Sequence, residues 1–573
     1  MTLRTRSWQQ SCKLLGAAFI GTLVVQLSVW GGEGPGQLSQ DKVPIKIVTL
    51  DALSGKPTPA RIELLDANGK SYIADNALSM AGDREDRDII WLGSPEEAKA
   101  WFGAAPRRSI GHAWARGPQF YSDGEADVLL SPGKYTVSAF KGIEFLDAEK
   151  EFQIEAGSKE TLTLELRRWV HMADEGWYSA DDHLHIPRFV PELDAMILKC
   201  MKAEDLNIAN LLRWGHARHF HNTPQHTSGF PGVYREGNYL LLSGQENPRT
   251  HFLGHTIILG ASPPIHQDDR YLIYRLFFEQ AHRQGAANGF AHKGQLFEAR
   301  NGLGINLPDG FVHFIEVLQF MGADYNAWYD ALNTGFRLTP TAGTDYPFGR
   351  PFPGRERFYT RVTGKFSAQS WLDTVKEGRT FVTMGPIVEL TVDSKLPGDE
   401  LTLQEPGSVV VAGRVRINPQ RDRLDKVELV WCGEVITTFS PKRGESEFRF
   451  EVKRDIREAG WLALRTSGAK LGFQGNPRSR RAGIPRSHSH TAAVYLLIEG
   501  QPNLKQHPRA KKTAQKWIDR LQNLEDILRD EDQTLEKLAG GNPLTGVPVA
   551  VMRQNREDLL QVVQEALKHF REQ

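Results

Sequence analysis

Between residues 170 and 385 the chain alternates short apolar runs of strand length with amphipathic helical stretches, and no other feature narrows its fold as far. The stretch 191–203 reads as a helix and 206–212 as a buried strand. Strands follow at about 239–245 and 253–260. Residues 269–285 read as an amphipathic helix with Tyr271, Ile273, Leu276, Phe277 and Ala281 on one side. Further apolar runs stand at Phe290, 312–318 and 338–342. Strands separated by helices pair through crossovers, so parallel βαβ units are predicted, in an open sheet or a barrel.

On either side the hydrophobic period shortens to two. From about 39 to 169, alternating runs at 45–50, 60–65, 134–140 and 160–166 are punctuated by Gly, Pro and Asn, which predicts an antiparallel sandwich. Residues 386–500 return to the same pattern and read as a second β domain. Residues 501–573 are helical. Trp517, Leu521, Leu524 and Leu528 form one stripe, and Leu559, Leu560, Val563 and Leu567 another after a Gly-Gly-Asn-Pro break at 540–543. The expected class is multidomain α/β plus β. At the N-terminus a basic stretch precedes an uncharged apolar run at 14–30 and a glycine-rich exit. Residues 1–38 therefore read as a signal peptide for export to periplasm, cell surface or medium, or, uncleaved, as an anchor.

Lys plus Arg and Asp plus Glu both total 70 over 573 residues, so nothing electrostatic favours a nucleic-acid partner, and membrane contact is expected only through an uncleaved leader. Three cysteines are too few for a disulfide scaffold or a Cys-based zinc cluster. Histidine is the outlier: thirteen of 18 lie between His171 and His313, a clustering that points to a metal centre. In "GWYSADDHLHIPR", His183 and His185 are two apart, and on a strand such residues share a face and can reach one ion. Asp181 and Asp182 are placed to accept hydrogen bonds that set imidazole tautomers. Glu246, His255, His292 and Asp345 each stand near the end of an apolar run. Each has a bland reading as a turn, cap or core residue, but C-terminal strand ends of a barrel converge on one site. His488 and His490 share the spacing but read as the start of a late strand.

These residues resemble the polymerase-and-histidinol-phosphatase (PHP) superfamily, in its carbaryl-hydrolase-like (CehA/McbA-like) branch of metallohydrolases. The likeness rests on "GWYSADDHLH", "SGQEN", "GHTI", "AHKG" and "AGTD", and extends through "GRTFVTMGPIVELTVD" and "SHSHTAAVYLLIEGQP", about 170–500 in all. The segment before it resembles transthyretin-like or carboxypeptidase-regulatory-like sandwiches. The resemblance implies a distorted (β/α)7 barrel flanked by the two β domains. It further implies two divalent metals, zinc foremost with manganese or iron as alternatives. His183, His185, Glu246 and Asp345 would hold one, and Glu246 would bridge to a second at His255 and His292.

The chain departs from the family twice. Arg213 and Trp214 occupy the place of a family Asp-His, and Pro347 stands where the closing histidine belongs. Both histidines would serve a third metal, so two ions are expected. His216, His219, His221 and His226 either form a solvated loop or replace a ligand. Arg213 and Lys293 are cations suited to steady an anionic transition state or contact substrate, whereas Arg357 reads as structural. The expected activity is an exported metal-dependent hydrolase that activates water toward a phosphoester, ester, carbamate or amide, in a small or polymer-derived substrate. The alternative is a catalytically degenerate PHP-like module binding carbohydrate or protein at the cell surface. It would leave His255 and His292 out of metal reach of Glu246.

Overall fold

Burial alternates along Val43–Asp51 (β1), with Val43, Ile45 and Ile47 inside and Pro44 and Lys46 in solvent, so this strand covers a core with one face. The computed structural model describes residues 42–78, 119–217, 219–267, 269–294, 298–320, 322–347, 352–468, 487–530 and 549–573, without the side chains of 216 and 219–222. The leader and the break at 540–543 lie outside the described residues. Strands β2 (Ala60–Asp66), β3 (Phe120–Ser122), β5 (Gly133–Phe140) and β6 (Ala148–Ile154) form one sheet. β1 pairs with β4 (Glu125–Leu130) and β7 (Glu160–Leu166) in another. The two sheets share a core that includes Ile45, Ile62, Leu64, Val128 and Val137.

In the central segment β8 (Trp177–Leu184), β9 (Ile208–His216) and β12 (Tyr239–Thr250) pair in parallel. Then β13 (Gly254–Leu259) runs antiparallel between β12 and β14 (Ala287–Phe290). β14, β15 (Val312–Gln319) and β17 (Thr339–Ala342) are parallel again. Short strands β10 (His219–Asn222), β11 (Tyr234–Glu236) and β16 (Gly322–Ala323) fold back on β9, β12 and β15. A parallel bridge from Leu184 to Tyr346 ties the loop after β17 back to β8. Helices Asp194–Ala203, Tyr274–Arg283, Ala299–Asn306 and Asn326–Asn333 make the connections. The second of these begins later than the apolar periodicity predicts. Ile273, at φ −92° and ψ 77°, leaves helical space, so Tyr271 and Ile273 are buried from the turn that precedes the helix.

β18 (Arg357–Arg361) and β19 (Thr380–Thr383) continue the sheet beyond β8. The C-terminal strands are β20 (Ile387–Val392), β21 (Glu400–Leu403), β22 (Gly407–Arg416), β23 (Leu424–Trp431), β24 (Glu434–Phe439), β25 (Glu447–Ile456), β26 (Gly460–Gly468), β27 (His488–Thr491) and β28 (Val494–Ile498). β27 pairs with β19, joining this segment to the central sheet. The fold is thus mixed α/β with strands predominating. Helices Pro508–Arg529 and Val549–Arg571 pack on the central core through Trp517, Leu521, Leu524, Leu528, Leu559, Val563 and Leu567, with Leu560 half-buried. Among the described residues no helix is long and apolar enough to cross a membrane.

A buried ionic network pins the N-terminal sandwich to the central segment. Arg168 donates to Glu144 at 2.7 Å and to both oxygens of Asp205 at 2.8 Å, and stacks over Phe145. Burial pushes Glu144 up to about 7, with the nearby Asp205 charge adding to the effect. Asp205 itself is held low, because its bidentate Arg168 outweighs burial. Arg357, wholly buried, donates to the carbonyls of Glu204 and Asp205 and is structural. Arg168→Met would strand two carboxylates out of water, a change that costs about 3–5 kcal/mol in buried pairs. It is expected to lower the urea unfolding midpoint accordingly, whereas Lys46→Met, at an exposed pair with Glu125, should move it little.

Candidate metal centre

The structure gathers the six predicted donors at one rim of the central sheet. His183 is the penultimate residue of β8 and His185 follows the strand. His292 follows β14, and Asp345 follows β17. Glu246 lies within β12, while His255 opens β13, whose reversed direction brings its first residues to the rim where its neighbours end. Backbone bonds from Asp345 N–H to the His183 carbonyl (2.9 Å) and from His185 N–H to the Tyr346 carbonyl (2.8 Å) lock two of these segments together. His292, Lys293 and Asp345 adopt left-handed backbone, at φ 60°, 60° and 54°. Such conformations cost ~1–3 kcal/mol each and concentrate at functional sites. Gly343 is required by close approach: a Cβ there would stand 2.5 Å from Asp182 Oδ1 and His183 Cβ, and 2.7 Å from Glu316 Oε1.

His183 and His185 face each other with lone pairs. His183 Nδ1 lies 2.9 Å from Glu316 Oε1 and His185 Nδ1 lies 3.3 Å from the Leu212 carbonyl, so in each ring Nδ1 carries the proton and Nε2 is left as an acceptor. The two Nε2 atoms are 3.2 Å apart, with Asp345 Oδ1 at 3.4 and 3.1 Å from them. His292 Nδ1 donates to Gln319 Oε1 at 2.8 Å, which turns its Nε2 toward His255 Nδ1 (2.8 Å) and Glu246 Oε1 (3.3 Å). His255 Nδ1 is in turn 2.7 Å from Glu246 Oε1. Between the His183 and His185 acceptors positive charge is needed, whereas His255 Nδ1 can itself donate to Glu246 or His292. His183, His185 and Asp345 offer three ligand atoms within 4.8 Å of one another, and so do His183, Glu246 and His292. Imidazole and carboxylate donors suit zinc, manganese or iron, so the residues fit a buried divalent cation. Electrostatics agree. Burial opposes charge on His183, yet Glu316 and Asp345 hold its pKa well above the ordinary imidazole value. Glu246 is held well below the carboxylate range by Arg249 and His255 despite burial.

Several expectations are corrected. Asp181 accepts the backbone N–H of His183 (3.0 Å) rather than a ring proton. It also clamps the Thr344 backbone and hydroxyl and Gly354 N–H, and burial pushes it up to about 7. Asp182 is buried beside Glu316, and burial with that neighbouring charge drives its pKa well up. The acceptor that sets the His183 tautomer is Glu316, which also takes the backbone N–H of His292 at 2.6 Å. Its signal in the sequence was a lone carboxylate inside the apolar run 312–318. Arg213 turns away to donate to the Gln225 carbonyl (2.7 Å), because adjacent residues of a strand face opposite ways and Trp214 takes the site side. The cation at the cluster is instead Arg249, 3.4 Å from Glu246 Oε2 and from His255 Nδ1. Lys293 runs beside Gly322, half-buried, with its pKa lowered by burial.

The predicted histidine loop is in part a hairpin, with β10 pairing His219 to His216 and Asn222 to Trp214; the side chains of His216, His219 and His221 lie outside the described residues. His226 belongs elsewhere, 3.2 Å from Asp194. His490 is buried among Tyr325, Trp328 and Tyr329 in β27, with the Tyr329 hydroxyl at 2.6 Å and its pKa pushed down to about 3 by burial. Comparison with protein-family models and with curated proteins returns no match. Because Glu316 orients a ligand from behind, Glu316→Gln is expected to weaken metal affinity about 10–100-fold. Titration with a competing chelator would measure the change.

Proposed function

We propose that this chain is an exported metal-dependent hydrolase of the PHP superfamily, with β8, β9, β12, β13, β14, β15 and β17 forming that superfamily's distorted (β/α)7 barrel. One observation carries the reading: two pairs of imidazole nitrogens, 3.2 and 2.8 Å apart, face each other across Glu246 and Asp345 in a buried cluster. His183, His185 and Asp345 would hold one divalent cation and His255 and His292 a second, with Glu246 between them. Cations held there would lower the pKa of a water toward neutral and polarise a carbonyl or phosphoryl oxygen.

The chain's own residues supply the rest. Glu316 and Gln319 keep His183 and His292 aimed inward. Trp214 covers the flank beside His185 and excludes bulk water there. Asp345 and His292, the most exposed of the six donors, would border the ester, amide, carbamate or phosphoester bond. The degenerate binding module is disfavoured, since it needs His255 and His292 beyond reach of Glu246, and they lie 2.7 and 3.3 Å from it.

Protein purified without chelator is expected to carry two ions per chain and to hydrolyse at least one of those four bond classes when loaded with zinc or manganese. A protein that neither retains a transition metal nor turns over any of the four would refute the reading. His183→Ala should abolish both metal retention and turnover while the unfolding profile of the β segments persists. His221→Ala should affect metal content far less, and equal losses for the two would contradict the ligand set.

A further inference from the structure

We infer that Arg249 is a specificity-determining residue of this centre, its guanidinium binding an oxyanion on the substrate so that anionic esters are preferred over neutral ones. The inference rests on the hydrolase reading above.

The backbone places Arg249 there. The register of β12 against β13 shifts between Glu246 and Arg249, so that Arg249 pairs opposite His255 and joins Glu246 on the site side. The guanidinium lies 4.5 Å over the Trp214 ring, a stacking that suits Arg and restricts its motion. Of the side chains at the cluster it is the most exposed. The side chains of His183, His185, Glu246 and His255 are at most 1% exposed, whereas those of His292, Asp345 and Arg249 are 4%, 9% and 11% exposed.

Its donors are not committed. A guanidinium paired to a carboxylate ordinarily makes bonds of about 2.7–2.9 Å. Here Nη1 is 3.4 Å from Glu246 Oε2, Nη2 is 3.4 Å from His255 Nδ1, and the buried Nε has no hydrogen-bond partner among the described residues. Glu246 is engaged more closely by His255, at 2.7 Å. Once Glu246 serves cations, Arg249 loses the one carboxylate it pairs with among the described residues while keeping its own charge. Desolvated, stacked and short of partners, a planar fork of N–H groups matches a phosphoryl or carboxylate oxyanion.

The test uses the full chain loaded with zinc, as wild type, R249M and R249K. Metal content, inorganic phosphate binding by calorimetry, and kcat/KM on 4-nitrophenyl phosphate and 4-nitrophenyl acetate are measured. R249M should keep both ions and weaken phosphate binding about 10–100-fold, as expected for lost hydrogen bonds to a charged group. Its loss on the phosphate ester should exceed its loss on the acetate by at least about ten-fold. R249K, with charge but no fork, should recover only part. Failure of the wild type to bind phosphate, phosphate affinity unchanged in R249M, equal losses on both esters, or loss of metal from R249M would each overturn the inference. Arg249-dependent phosphate binding without turnover of any ester would sink the hydrolase reading alone. Ester turnover with phosphate binding that ignores Arg249 would sink only the role of Arg249.

Discussion

Acceptor facing acceptor in a dry pocket is the constraint on which the rest of this structure turns. Four imidazoles and two carboxylates converge with almost no exposure, and two pairs of ring nitrogens stand within about hydrogen-bond distance, the His183–His185 pair with lone pairs opposed. Left alone, such an arrangement is costly, because each buried acceptor has surrendered water. It becomes favourable when positive charge occupies the space between. The raised pKa of His183 and the depressed pKa of Glu246 report the same demand through protons.

Holding these groups together takes a scaffold that tolerates local strain. Reversal of β13 delivers His255 from a strand start to a rim otherwise built from strand ends. Left-handed backbone at His292 and Asp345 turns the chain two and three residues beyond the ends of β14 and β17, and the missing Cβ of Gly343 admits Asp182, His183 and Glu316 to the same volume. Asp181 ties β8 to the segment carrying Asp345 through three donors, the Thr344 N–H and hydroxyl and the Gly354 N–H. The flanking segments brace this scaffold. Arg168 bridges carboxylates of the N-terminal sandwich and the central segment, β19 pairs with β27 of the C-terminal strands, and the terminal helices cover the central core.

The sequence by itself determined where strands and helices lie, because their apolar period is a local property, and it singled out His183, His185, Glu246, His255, His292 and Asp345 as residues near the ends of apolar runs. Glu316 was legible in principle as a carboxylate inside an apolar strand, since such a residue must be paired to be buried. Helix boundaries were less so: Ile273 leaves helical space although its periodicity continues. Only the tertiary structure decided which cation serves the centre. Arg213 was the expected cation and Arg249 was not, because a strand's period of two says that neighbours face opposite ways, not which face meets the site. That choice was made by the pairing of β9 with β12, which sets Trp214 beside Glu246, and by the irregular register of β12 against β13, which turns Arg249 toward His255. Both are contacts between strands, and their partners cannot be read from the residues of one strand alone.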